Sequence, residues 1–164
     1  MPLVVRMLFG GALFRAAERG DVRAIRRLLD RGRDPNAADR HGFTALHHAA
    51  LNGQAEAVGV LLEAGSEVDA VTRDGQTPLQ LASANAWPDV VELLLAAGAP
   101  SIVPALLAGL WPAKDRLTRW GELDDAQRRV LRALLEALRP GEDAPASDEA
   151  LVALAQSVAL PRGG

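Results

Sequence analysis

Three histidines, His41, His47 and His48, are the side chains in this 164-residue chain best suited to moving protons or holding a metal. His47 and His48 are neighbours in sequence, so on a helix their rings point about 100° apart and cannot share one ion. The chain has no cysteine, which excludes a disulfide framework, a thiolate metal site and a cysteine nucleophile. It contains no H-E-x-x-H pair, no glycine-rich phosphate loop, no G-x-S-x-G elbow and no EF-hand loop. The adjacent carboxylates Asp124 and Asp125 stand at the start of a patterned helix, where capping accounts for them. No catalytic residue, metal site or cofactor is expected.

Charge excludes further classes. The formal net charge is -3, so nothing pulls the whole chain toward nucleic acid or an anionic membrane. Arg128, Arg129, Arg132 and Arg139 form a helical stripe, but Glu136 interrupts it. No apolar run approaches the roughly 20 residues of a membrane span. The last amphipathic stretch has no basic polar face with which to lie on a bilayer. A second basic cluster, Arg19, Arg23, Arg26, Arg27, Arg31 and Arg33, reads either as a patch for an acidic partner or as a solvated face balanced by Glu18, Asp21, Asp30 and Asp34. Lys114 is the only lysine, and this Ala- and Arg-rich habit suggests a GC-rich bacterial genome.

The elements that must position these residues are short and repeated. Asp39 to Val71 reads as turn, helix, turn, helix, with glycines at Gly42, Gly53 and Gly65 where a chain leaves a helix or reverses. Neither helix is long enough to stand alone in water. A shift of 33 positions forward carries Gly42 onto Gly75, Thr44 onto Thr77, Leu46 onto Leu79, Leu61 onto Leu94 and Gly65 onto Gly98. The same shift of 33 backward carries Leu46 onto Leu13, Ala49 onto Ala16, Gly53 onto Gly20 and Leu61 onto Leu28. Such phase agreement is the mark of a stacked array in which each unit buries its helices against the next.

That period, with Thr44-Ala45-Leu46-His47-His48-Ala49, Thr77-Pro78-Leu79-Gln80-Leu81-Ala82 and the endings Gly65-Ser66-Glu67-Val68-Asp69-Ala70 and Gly32-Arg33-Asp34-Pro35-Asn36-Ala37, resembles the ankyrin repeat over about residues 12 to 100. Three positions depart from the family pattern: Ala45 for Pro, Gln80 for His, and Ala86 for the Gly that ends the first helix. The resemblance implies an all-α solenoid of stacked helix-turn-helix units, with hairpin-like turns near residues 34 to 43 and 67 to 76. It assigns His47 a structural role, hydrogen-bonding its own turn and the neighbouring repeat.

Residues 1–11 read as a lead-in packed on the first repeat, with Met1 or Met7 as the start; they lack the pattern of a secretory signal. Repeats are expected at 12–38, 39–71 and 72–100. Asp21 is expected to cap the second helix of the first repeat, and Pro88 to open that of the third. Trp87 is expected to pack over the start of the latter helix. The phase fails after Gly98, and residues 101–164 read as a C-terminal helical cap. Within it the pattern predicts helices over 102–110, 124–139 and 147–159, with Leu131, Leu134 and Leu138 buried.

A surface remains for function. The resemblance implies a concave face of turn tips and exposed first-helix positions that binds a protein partner. Matching positions are Arg40, His41, Phe43, Leu51, Asn52, Val71, Arg73, Asp74 and Gln76, with Glu18, Arg19, Ala84 and Asn85 beside them. Phe43 is either an exposed interface anchor or folds back on His47 or the adjacent turn. The chain is expected to be a non-enzymatic, cytoplasmic interaction module, monomeric when free, with no nucleic-acid or membrane partner. One alternative is an inhibitor or immunity protein for a co-encoded toxin or enzyme. The other is a small enzyme without a recognisable motif.

Overall fold

The computed structural model describes residues 3–100 and 125–138, with side chains from 11 to 100 and from 125 to 137. The helices expected over 102–110 and 147–159, Asp124, Arg139 and the Leu138 side chain lie outside the described residues. The elements in order are α1 (Leu3–Arg19), α2 (Val22–Asp30), α3 (Ala45–Leu51), α4 (Ala55–Glu63), α5 (Pro78–Ala84), α6 (Pro88–Ala96) and α7 (Asp125–Leu138).

Each helix pair starts and stops by local chemistry. Asp21 caps α2, its carboxylate accepting the Ala24 N–H at 2.9 Å. Thr44 and Thr77 cap α3 and α5 through reciprocal boxes, closed by His47 in one and by Gln80 in the other. Gln80 thus keeps the capping bond that the histidine makes, its amide oxygen accepting the Thr77 N–H at 2.8 Å. Pro88 sits in the first turn of α6, where its missing N–H leaves no bond unmade. The first helices end at Gly20, Gly53 and Ala86, all with positive φ (69°, 70° and 55°). Ala86 therefore holds a left-handed backbone with a Cβ attached, a conformation costly for any residue but glycine.

The 33-residue period becomes two layers. Helices α1, α3 and α5 pack side by side in one layer, and α2, α4 and α6 in the other. Leu13, Leu46 and Leu79 form one buried ladder between the layers; Ile25, Val58 and Val91 form a second. Ala16, Ala49 and Ala82 let the helices approach closely. Ser83 falls on the ladder of Ala17 and Ala50, and its buried hydroxyl has no hydrogen-bond partner. Helix α7 packs against α6, burying Val130, Leu131, Leu134 and Leu135. It is pinned there by Arg129, whose guanidinium reaches Asp89 at 2.8 Å and Glu92 at 3.0 Å. The fold is an all-α repeat solenoid closed by a C-terminal helix; among the described residues the only β pairing is the bridge Ala38 to Thr44.

Bonds at matching positions fasten one repeat to the next. The Gln54 amide donates to the Glu18 carbonyl at 3.2 Å, and one period later the Trp87 indole N–H donates to the Leu51 carbonyl at 3.1 Å. Both side chains cover the glycine that ends the preceding first helix: a Cβ on Gly53 would lie 2.5 Å from Trp87 Cδ2. Trp87 therefore does more than pack over the start of α6. Asn36 makes a second tie, donating to the Gly65 carbonyl at 3.1 Å and accepting the Glu67 N–H at 2.8 Å.

Candidate partner-binding face

The two turns between repeats are built alike from different residues. In the first, the Asp39 carboxylate accepts the His41 and Phe43 N–H groups at 2.8 and 3.0 Å, and the Asp39 N–H donates to the Phe43 carbonyl at 2.9 Å. In the second, Thr72 takes the place of Asp39: its hydroxyl accepts the Gln76 N–H at 3.1 Å, and its own N–H donates to the Gln76 carbonyl at 3.0 Å. The tips touch through backbone. The Arg73 N–H donates to the His41 carbonyl at 3.0 Å, and Gly42, at φ 84°, leaves room for it; a Cβ there would stand 2.9 Å from the Arg73 nitrogen.

His47 locks the tips to the inner helices. It is fully buried, and its Nδ1 lies 3.2 Å from the Thr44 N–H it accepts and 2.9 Å from the Thr44 hydroxyl. Its Nε2 faces the Gln76 carbonyl of the next repeat at 3.1 Å. Accepting at Nδ1 and donating at Nε2 is the neutral Nε2–H tautomer. Burial pushes its pKa below the ordinary 6.5, outweighing the Gln76 and Ala70 carbonyls that favour the charged ring. Asp39 is held below the ordinary carboxylate value of 3.8: burial raises it, but the His41 and Phe43 N–H bonds and the nearby His48 and His41 together lower it more.

Phe43 turns inward. Its ring lies 5.6 Å from His47 and 5.5 Å from His48, and His48 stacks on Phe14 at 5.4 Å. The fold-back arrangement is the one adopted, and Phe43 is half-buried rather than a projecting anchor. His48, at a position filled by buried Leu81 in the next repeat, becomes the middle ring of this aromatic stack, with Nε2 3.6 Å from Asp39.

The remaining candidates divide into two groups. Arg40, His41, Arg73, Asp74 and Gln76 are exposed and gathered at the paired tips, with the Arg40 Nε–H donating to His41 Nε2 at 2.9 Å. Val71 stands beside them and is 59% exposed, the most open of the large apolar side chains among the described residues. Leu51 and Asn52 lie at the far end of α3, about 10 Å from the tips at 1.5 Å per residue. Leu51 is half-buried and its carbonyl is taken by Trp87; the Asn52 amide donates to the His48 carbonyl at 2.9 Å, as Asn85 does to Leu81. Glu18, Arg19 and Ala84 are exposed at that same far end.

Among the described residues no group of His, Asp and Glu side chains is arranged to hold a metal, and no helix is long and apolar enough to cross a membrane. A scan against protein families matches residues 12–103 to ankyrin repeats, in three copies. Comparison with curated proteins returns no match.

Proposed function

Because the chain belongs to the ankyrin-repeat family, whose repeats are generally protein–protein interaction modules, we propose that it is a non-enzymatic binding module that reads one protein partner with its paired turn tips. The observation that carries this reading is the contiguity of Arg40, His41, Val71, Arg73 and Asp74. All five are exposed, and the stacking ladders use none of their side chains. Forked guanidinium donors beside one open apolar side chain make an interface in which a few residues dominate affinity. With Phe43 turned inward, Val71 supplies the apolar contact. Leu51, Asn52 and Gln76 extend the face along the inner layer.

Residues 12–100 are the recognition array in this reading, and α7 covers its end. The free protein is a cytoplasmic monomer with no cofactor, nucleic acid or membrane partner. The test is capture of a partner by the tagged full chain, identified by mass spectrometry and then measured against variants. Val71→Asp and Arg73→Glu are expected to weaken binding by about 1–3 kcal/mol each, the scale of an ordinary hot-spot loss. Their melting curves should match the parent. Undiminished affinity in both variants contradicts the reading.

A further inference from the structure

The first repeat has no preceding repeat among the described residues, and its outward face is not a simple polar cap. Ala12, Ala24 and Leu28 stand where Ala45, Ala57 and Leu61 stand one period later. The later three are 0% exposed because the first repeat covers them; the earlier three are only half-buried. They floor a cleft of about 340 Å³ between α1 and α2, completed by Ala16, which is the stacking surface of the repeat left open.

Four arginines wall this cleft: Arg15 and Arg19 on α1, Arg27 on α2 and Arg31 at its C-cap. Arg15 and Arg27 replace the His48 and Val60 of the next repeat, so cations occupy positions that elsewhere serve stacking. All four are exposed, and among the described residues none pairs with a carboxylate. The one acid lining the cleft, Asp21, is committed to the Ala24 N–H. Within each wall the guanidinium groups are four residues apart, one helical turn. The cleft offers no aromatic side chain on which a base could stack, and the net charge is -3.

We propose that this cleft is a second docking surface, distinct from the paired tips, and that it takes an acidic amphipathic helix of a partner protein. The occupant lays a stripe of small and medium apolar side chains on the Ala12, Ala16, Ala24 and Leu28 floor. Glutamates or aspartates one turn apart on each flank of that stripe meet the two arginine walls in forked pairs. Shape selects a helix because the floor is built to receive one; the walls select its charge.

The probe is a fluorescent peptide about 18 residues long, roughly 27 Å as a helix, with a Leu/Ala stripe flanked by glutamates at one-turn spacing. Binding to the full chain is read by anisotropy at about 0.1 M salt, where charge pairs are only partly screened. The parent binds, and affinity falls as salt rises. The Arg15→Glu/Arg27→Glu double variant binds at least ten-fold more weakly with an unchanged melt, and the same peptide with lysines for glutamates does not bind. Val71→Asp leaves the affinity unaltered, which separates this surface from the tips. Any of three results overturns the proposal: no binding by the parent; equal binding of a proline-broken peptide of the same charge; or tighter binding of a single-stranded oligonucleotide than of the peptide.

Discussion

Replacing Ala86 by glycine should stabilise the protein. Gly20, Gly53 and Ala86 end the three first helices with φ of 69°, 70° and 55°, so one backbone conformation serves all three and only the third carries a Cβ. An L-residue there costs about 1–2 kcal/mol. Glycine removes that cost but adds unfolded-chain entropy of about 0.4–1 kcal/mol. At the middle of those ranges the net gain for Ala86→Gly is about 0.8 kcal/mol. At 2–4 °C per kcal/mol for a chain of this size, the midpoint should rise by about 2–3 °C. The reverse change one repeat earlier is a stringent companion. Gly53→Ala imposes the left-handed cost and drives a methyl to 2.5 Å from Trp87 Cδ2, displacing the ring whose N–H holds the Leu51 carbonyl. The strain and the lost bond together should cost about 2 kcal/mol. Thermal melts by far-ultraviolet circular dichroism on both variants are sufficient. A parent-like or lower midpoint for Ala86→Gly would refute the claim that residue 86 stores backbone strain.

Two further outcomes follow from the core and from titration. Leu61 is 0% exposed between its neighbouring repeats, so Leu61→Ala should cost roughly 2–5 kcal/mol in chemical denaturation; an unchanged midpoint would show the repeat phase misassigned. His47 is neutral in the fold with its pKa depressed, so the unfolded chain binds the proton more readily. Its contribution is full above pH 6.5 and is lost as pH falls from there through the lowered folded value. Asp39 contributes fully above pH 3.8, and that share is lost as pH falls through its own lowered value. His47→Gln, copying the cap that Gln80 makes, should flatten the upper step and leave the lower one. A stability profile with the same upper step in that variant would mean another group titrates.

Much of this architecture was legible in the sequence because one period governs it. Leu13, Leu46 and Leu79 are in phase, and the same ladder is buried in space. His47 could be placed because the family resemblance assigns its position a bond to its own turn and one to the next repeat, the latter met here by the Gln76 carbonyl. The Gln54 and Trp87 ties were harder to see. Glutamine and tryptophan share little beyond an N–H, and that shared donor at matching positions was the available signal. The direction of Phe43 depended on the ring of His48 on α3, itself stacked on Phe14 of α1, a pairing across elements that local pattern does not bring together. The burial of Leu131 and Leu134 on α7 was legible in its amphipathic pattern, but the bridge from Arg129 to Asp89 and Glu92 was not, because the period has ended there and spacing carried no hint of it.

The most direct measurement of the central claim is amide hydrogen exchange of the full chain, free and with its captured partner. Slowed exchange concentrated at residues 39–43 and 71–76, spreading to α3 and α5 but not to α4 and α6, is the result expected of a partner read by the paired tips. Protection confined to α7, or to the outer layer of α2, α4 and α6 with the tips unchanged, would contradict it.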